Sequence, residues 1–500
     1  MSRLVVFGFA VDWQHDGLLQ AASEAGSQIV YWAGCSPEIE KNCKNAFPDF
    51  IPNDSINEAT ICNPESAPLL DVQKILSPHL DKLWLAYLKI LRSSTLRTAG
   101  IDARTDFLRS VSLAYNIVKI TKPDAVIFSN VPTGFIAYCV YICAKYLNIQ
   151  TLIMKRILFP DHYDLSYIVE DTEFQSTQII RDFERAKANP AYCANFETPE
   201  WLSSHFTNLR GATNASDIMP DYFVLKDKIK TDSQEIERHK TNWFGAITNS
   251  ILRRREGLEL FGGKDGLPHA IRRRQLIKGY EALCEEIDFE RKYVYVPLHM
   301  QPEASTMPNG GIFAYQLFMV DLLSKSVPHD WIVYVRDHPS QLYFYYPDKL
   351  HRTTALYEQI CSYPNVRLVS ARASNVELTR NASALATITG YAGWEAINWR
   401  IPVLLFGGAW YAGCDGVKSA RTAQETKAAF AAIEDGYRPA LDRIEIFAKV
   451  VLQNAIQGEY RTQFQDPNDP VHLSAAQLCR KIVECLSETA TRDVAVSNES

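Results

Sequence analysis

The chain has 500 residues, too many for one ordinary hydrophobic core, so two or more domains are expected. Hydrophobic residues make up 47% and charged residues 22%, the balance of a soluble globular protein. A net charge of −6 gives no electrostatic case for nucleic acid as a partner.

The opening MSRLVVFGFAVDW reads as a strand over 4–10, not as a signal peptide: its apolar run is short and no small-residue cleavage site follows. Asp12, Trp13, Gln14, His15 and Asp16 come next, then a helix over 17–25 and a strand over 29–32, the start of a parallel sheet. Leu and Ile at three- and four-residue spacing predict helices over 69–91 and 103–120. A strand over 124–128 ends in Ser129, Asn130, Pro132, Thr133 and Gly134. The helix 135–147 that follows is the longest apolar segment, too short to span a bilayer and interrupted by Lys145. A strand over 150–154 ends at Lys155 and Arg156. Residues 1–159 therefore read as one α/β domain.

Residues 160–289 are polar and helix-rich, without strand alternation, and predict a helical insertion with helices over 174–187 and 233–252. Two arginine triplets, 253–255 and 272–274, flank Gly262, Gly263 and Gly266. Residues 290–465 read as a second α/β domain with four strands, each ending in a polar or glycine-rich loop. The strand 293–296 runs into Pro297, His299, Gln301, Pro302 and Glu303. The strand 331–335 ends in Arg336, Asp337, His338 and Pro339. The strand 384–388 ends in Thr389, Gly390, Gly393 and Glu395, and the strand 402–406 in Gly407, Gly408, Trp410 and Tyr411. In open α/β sheets such loops line the ligand crevice. A helix over 474–486 and a frayed tail over 487–500 complete the chain. The eleven cysteines are scattered without a CxxC pair, as for buried thiols in a reducing cytoplasm.

Several residue types at these strand ends suit ligand chemistry. His338, fixed by Pro339, can donate to a phosphate or ribose; it can equally be a capping histidine. Thr389 and Gly390 precede a helix, whose free N–H groups beside a hydroxyl make an anion site. Glu395, read in the first turn of that helix, either complements its positive end or holds a ribose hydroxyl pair. Gly407 and Gly408 allow close backbone approach, and Trp410 and Tyr411 either stack on a base or sugar or belong to the core. The chain has no GxxxxGK[ST], no GxGxxG after a strand, no HExxH, no paired CxxC and no GxSxG. Phosphoryl transfer on a P-loop, structural zinc and serine hydrolysis are disfavoured. Asp161 to Asp164 (DHYD) is the nearest, weak, pattern of metal carboxylates.

The runs YVYVPLHMQPEAST, WIVYVRDHP and ITGYAGWEAINWRIPVLLFGGAWY, in that order and spacing, resemble the capsule polysaccharide biosynthesis proteins, which include the bacterial β-Kdo glycosyltransferases with their QP and HP motifs. The resemblance is strong over roughly 290–415; the first domain is similar in layout only. It implies an α/β, GT-B-like fold: two Rossmann-like domains facing a central cleft, here with a helical insertion between them. It also implies a CMP-activated ulosonic acid, mainly CMP-Kdo, as donor. Gln301 and Pro302 match the QP motif; His338 and Pro339 match the HP motif, which holds the nucleotide. Thr389 and Gly390 fall where related sialyltransferases set hydroxyl residues against the phosphate. Some members retain configuration through a carboxylate nucleophile, and Glu303 is the carboxylate in the QP block, where those enzymes use Asp. Glu170, Asp171 and Glu173 are candidates for a second carboxylate, and Arg336, Arg372 or Lys155 for pairing with the Kdo carboxylate.

The expected function is a cytoplasmic glycosyltransferase that moves Kdo or a related ulosonic acid from CMP to a surface glycan, capsule or lipopolysaccharide O-antigen. No metal and no other cofactor are expected. The donor-binding set is Gln301, Arg336, His338, Pro339, Thr389, Gly390, Gly393 and Glu395; the catalytic set is Glu303, Glu170 and Asp171. A GT-B transferase or epimerase acting on a UDP- or GDP-sugar, and a non-catalytic nucleotide- or glycan-binding assembly protein, remain as alternatives. The basic stretch 253–278 carries Arg253, Arg254, Arg255, Lys264, Arg272, Arg273, Arg274 and Lys278. It reads either as a solvated surface or as a peripheral contact with the inner membrane or a lipid-linked acceptor.

Overall fold

The computed structural model of the protein describes residues 1–9, 12–52, 69–84, 100–157, 165–193, 198–213, 267–301, 305–342, 352–458 and 471–497, with residues 55, 56, 87, 159, 196 and 303. The strands, in chain order, are β1 (Arg3–Phe7), β2 (Gln28–Ala33), β3 (Ala125–Phe128), β4 (Gln150–Arg156), β5 (Leu165–Val169), β6 (Tyr293–Pro297), β7 (Ile332–Arg336), β8 (Val366–Leu368), β9 (Ala384–Thr387), β10 (Val403–Leu405), β11 (Val417–Ser419) and β12 (Ile456–Gln457). They form two six-stranded sheets, ordered β12-β5-β4-β3-β1-β2 and β11-β10-β9-β6-β7-β8. This is the α/β layout of two Rossmann-like, GT-B-like halves expected from the sequence.

The strands are short apolar runs that are buried on both faces, as parallel strands under helices must be. Tyr293 and Tyr295 of β6 send their hydroxyls to Leu378 O (2.7 Å) and Asn375 Oδ1 (2.8 Å) on one face. Val294 and Val296 pack on the other with Met319, Val320 and Leu323 of the helix Leu317–Ser324. In the first sheet, Leu4, Val6 and Trp32 meet the helices Asp12–Glu24 and Val471–Ser497. The opposite face carries the helices Gly100–Thr121 and Phe135–Tyr146.

Three expectations change. The stretch 160–289 was expected to lack strands, yet β5 lies in it, antiparallel to β4, so the first sheet runs past residue 159. Leu165–Val169 is buried throughout, so no alternation marks it. The chain also returns to the first sheet after the second: β12 pairs with β5, and the helix Val471–Ser497 runs through most of the expected frayed tail. That helix is held by Ala475, Leu478, Cys479 and Ile482, all buried. The expected helix 233–252, the first arginine triplet and the DHYD pattern lie outside the described residues, as does Pro302.

Read in order of its own strands, the second sheet runs 3-2-1-4-5-6, all parallel, and the chain reverses direction across the sheet between β6 and β9. A parallel sheet of this order opens a crevice outside the carboxyl ends of its strands at that reversal. The loops after β6 and β9, both singled out by sequence, meet there.

Candidate active site

The loop after β6 is fixed from several sides. Gln316 grips the backbone of His299 twice: its Oε1 accepts the His299 N–H and its Nε2 donates to His299 O, both at 2.9 Å. Gln301 is buried; its N–H donates to Gln341 Oε1 (2.7 Å) and its Nε2 to Thr306 Oγ1 (2.7 Å). This glutamine of the QP motif therefore shapes the loop with both its backbone and its side chain. Its bond to Gln341 also ties that loop to the residues just after His338-Pro339. Glu303 is half-buried, and its Oε2 accepts the Ser305 hydroxyl at 2.7 Å.

The loop after β7 is built on a buried ion pair that the sequence did not reveal. Asp337 is fully buried and faces Arg352, with Nε to Oδ2 at 2.8 Å and Nη2 to Oδ1 at 3.3 Å. The Tyr357 hydroxyl also donates to Asp337 Oδ2, and Asp337 N–H donates to Tyr280 Oη. Arg352 Nη2 reaches on to His299 O at 2.8 Å. One guanidinium thus clamps the ends of β6 and β7 together. Such a pair is stable because every charge has hydrogen-bonding partners, not because burial favours charge. His338 stands on this base. Its N–H donates to Asp337 Oδ1 (2.7 Å), its Nδ1 accepts the Ser340 N–H (3.1 Å), and the residue is exposed. With Nδ1 as acceptor, the neutral ring carries its proton on Nε2.

The loop after β9 leads into the helix Tyr391–Asn398, with Gly390 as its N-cap. The N–H groups expected to be free for an anion are used internally: that of Thr389 donates to His299 Nε2 (3.3 Å) and that of Gly390 to Thr387 Oγ1 (3.1 Å). The Thr389 hydroxyl donates to Ser305 O at 2.8 Å. Thr389 thereby locks this loop to the QP loop, while Gly390 is held by its own strand. Burial first, then His338 and Arg352, lower the His299 pKa to about 3. His299 is neutral across the physiological range, and its Nε2 remains an acceptor.

Glu395 lies one turn deeper in the helix than the sequence suggested; no acidic residue occupies the first turn. Complementing the helix end is therefore not its role. It is buried beside Asn375, whose Nδ2 is 3.4 Å from Oε2 and whose Oδ1 accepts the Tyr295 hydroxyl. Burial raises its pKa to about 8, against the smaller lowering effect of Asn375. Gly393 must be glycine: a Cβ there would sit 2.2 Å from the Tyr411 hydroxyl, which donates to Gly390 O.

For the aromatics of the loop after β10, the structure takes the core reading of the two left open. Trp410 and Tyr411 are core aromatics: Trp410 packs on Trp394 (4.6 Å between ring centres) and on Phe159 of the first half (4.9 Å). A Cβ on Gly408 would lie 2.3 Å from Thr172 O, so this glycine admits another segment of the chain, not a ligand. Here the two halves meet. Lys155 Nζ donates to Gly408 O and to Thr172 O, and Gln175 Nε2 to Trp410 O. Lys155 is therefore occupied at the interface, not held ready for a substrate carboxylate. Burial first, offset by Asp171 and reinforced by Arg421, lowers its pKa to about 7.

The remaining candidates separate by location. Arg336 Nη2 donates to Ala371 O (2.8 Å), while its buried Nε has no acceptor among the described residues. Arg372 is exposed, 4.0 Å from Glu281. Glu170 Oε2 lies 3.4 Å from the N–H of Thr177 and 3.5 Å from its hydroxyl. Asp171 caps Glu173 N–H (2.8 Å) and pairs with Lys145 (3.3 Å). Glu170 and Asp171 thus bond within the first half. Glu173 instead pairs with Lys82 and Arg421 and lies against Gly311 of the second half. Arg352, Gln316, Gln341 and Arg421 escaped the sequence reading, because their roles are contacts across 15 to 250 residues with no local pattern.

The family profile described as "Capsule polysaccharide biosynthesis protein" matches residues 290–429. No curated protein sequence matches the chain. Among solved structures, the chain is similar to UDP-GlcNAc 2-epimerase from Methanocaldococcus jannaschii (10% identity, 90% of this chain and 99% of that one, TM-score 0.25). It is similar also to Anabaena HepE in complex with UDP-glucose (10%, 98% and 100%, TM-score 0.25). A third is the beta Kdo 2,7 transferase KpsC of Thermosulfurimonas dismutans (11%, 68% and 88%, TM-score 0.25).

Proposed function

We infer that this chain, whose residues 290–429 match the capsule polysaccharide biosynthesis family, is a glycosyltransferase of GT-B-like fold acting in the cytoplasm on a CMP-activated ulosonic acid such as CMP-Kdo. The observation that carries the reading is the interlocking of the three motif loops at the β6/β9 reversal: Gln301 to Gln341, Thr389 to Ser305, and Thr389 to His299. A site that must hold a nucleotide, a sugar and a nucleophile in one geometry needs such rigidity.

In this reading His338 donates from Nε2 to the single phosphate of CMP, and Glu395 accepts from the ribose hydroxyls. The buried Nε of Arg336, which has no acceptor among the described residues, donates to the Kdo carboxylate. Glu303 attacks the anomeric carbon, forming the C–O bond to the enzyme as the bond to CMP breaks and the phosphate leaves with the electron pair. An acceptor hydroxyl then displaces Glu303 and loses its proton to a second carboxylate, which restores the first configuration. Of Glu170, Asp171 and Glu173, Glu173 is the one set against the second half. The acceptor is a glycan or lipid-linked glycan, and neither a metal nor a further cofactor is required.

Calorimetric titration with CMP, UDP and GDP, followed by mass spectrometry of CMP-Kdo turnover, tests the proposal. His338→Ala is expected to lower CMP affinity at least tenfold with the fold intact, since the side chain is exposed and the variant gives up locally the Nδ1 bond from Ser340 N–H. Tighter binding of UDP than of CMP removes the CMP-donor assignment, and wild-type CMP affinity in the variant removes His338 from the site.

A further inference from the structure

A second concavity lies apart from the donor loops, at the free edge of the first sheet. Because β5 runs antiparallel to β4, its start lies at the carboxyl end of the parallel strands, with Ser166 beside Arg156 and Leu165 O accepting the Ile157 N–H, and β12 follows through Gln457 beside Leu165. There the helices Glu200–Gly211, Leu441–Gln453 and Val471–Ser497 enclose a cleft of about 910 Å³. That is a ligand-sized volume. Its lining is mainly polar and includes Trp201, Gln453, Gln457, Gln477, Arg480 and Lys481.

The charges and amides of this cleft are unevenly used. Lys481 is answered by Glu484 at 3.1 Å and also donates to Asn454 Oδ1. Glu200 is the first residue of its helix, where the positive helix end offsets a carboxylate. Gln477 Oε1 accepts the Gln457 N–H at 2.9 Å and so fixes β12 to the last helix. The side-chain amides of Gln453 and Gln457 and the guanidinium of Arg480 have no hydrogen bond or ion pair among the described residues. Half-buried Trp201 completes the wall. It packs edge-on to Phe159 at 5.3 Å, and Phe159 touches Trp410 of the second half. One aromatic ring therefore separates this cleft from the loop that follows β10.

Unused amides, which both donate and accept, match vicinal sugar hydroxyls. An indole offers a flat surface to the C–H face of a pyranose, and an unpaired guanidinium matches a carboxylate bidentately. We propose that this cleft binds an acidic oligosaccharide, with a sugar carboxylate on Arg480 and hydroxyls on Gln453 and Gln457. That the bound glycan is the acceptor rests on the transferase reading; that the cleft takes an acidic glycan does not.

The test uses the full chain and two probes of equal length, tetragalacturonic acid and neutral maltotetraose, followed by calorimetry and saturation-transfer NMR. Tetragalacturonate is expected to bind, and maltotetraose at least tenfold more weakly. Arg480→Gln, an exposed change, should weaken the acidic probe at least tenfold, and Gln457→Ala several-fold, with CMP affinity and melting unchanged in both. Absence of tetragalacturonate binding, equal binding of the two probes, or wild-type affinity in Arg480→Gln each overturns the proposal. Binding of the acidic probe by a chain that ignores CMP supports the cleft while removing the donor assignment.

Discussion

Replacing Glu395 by glutamine separates the cost of this residue to the fold from its use. Its carboxyl is buried beside Asn375, and burial raises its pKa from 4.5 to about 8. Between those values the folded protein holds a proton that the unfolded chain has released, so stability falls as pH rises through that window. At pH 7 the interval from 4.5 is two and a half pH units, at about 1.4 kcal/mol each, or about 3 kcal/mol. Glutamine has the same shape, never ionises, and can still accept from Asn375. Glu395→Gln is therefore expected to stabilise the second half by up to about 3 kcal/mol at pH 7 and by nothing near pH 4.5. Denaturant unfolding at both pH values, followed by the fluorescence of the nearby tryptophans, measures this. If the ribose hydroxyls donate to the carboxylate, nucleotide binding should also release a proton near pH 7. That release appears as a dependence of the binding enthalpy on buffer, and it should vanish in the variant together with most of the CMP affinity. Parallel pH curves for variant and wild type would refute the argument from burial. Unchanged nucleotide affinity would refute the argument from function.

Arg352→Met should cost about 3–5 kcal/mol, because it leaves Asp337 buried and charged without its partner; adding Asp337→Asn should recover part of that loss in the same unfolding assay. Glu303→Gln should abolish a covalent sugar adduct on the QP-loop peptide and slow turnover on the order of 10³-fold, read by mass spectrometry with CMP-Kdo. Full activity would return Glu303 to a loop carboxylate that accepts from Ser305. Arg273 Nε donates to Leu342 O at 3.0 Å and is best left in place. Changing Arg253, Arg254, Arg255, Arg272 and Arg274 to Gln should reduce co-sedimentation with anionic liposomes at low salt and matter less at high salt. Equal sedimentation at low salt would show that the triplets do not dock the chain. No helix among the described residues is long and apolar enough to cross a membrane.

The sequence determined the parts of this protein that are local. Runs such as YVYV, IVYV and ALAT fixed where strands of the second sheet lie to within a residue or two, because a buried parallel strand is a short apolar run whatever surrounds it. The prolines and glycines at their ends marked the loops that meet at the β6/β9 reversal. Tertiary structure alone decided what each polar residue in those loops does. Thr389 and Gly390 looked like an open anion site, yet their N–H groups are bound by His299 and Thr387, partners brought in from another loop and from the preceding strand. Lys155 was one of three candidates for the Kdo carboxylate and Trp410 was open between ligand and core; both close the contact between the halves. Arg352 carried no signal, since a buried ion pair is defined by its partner and by the exclusion of water, neither of which is written in neighbouring residues. The same holds for β5 and β12: the edge strand β12 is recognised by the strand it pairs with, β5, and those two segments are about 290 residues apart in the chain.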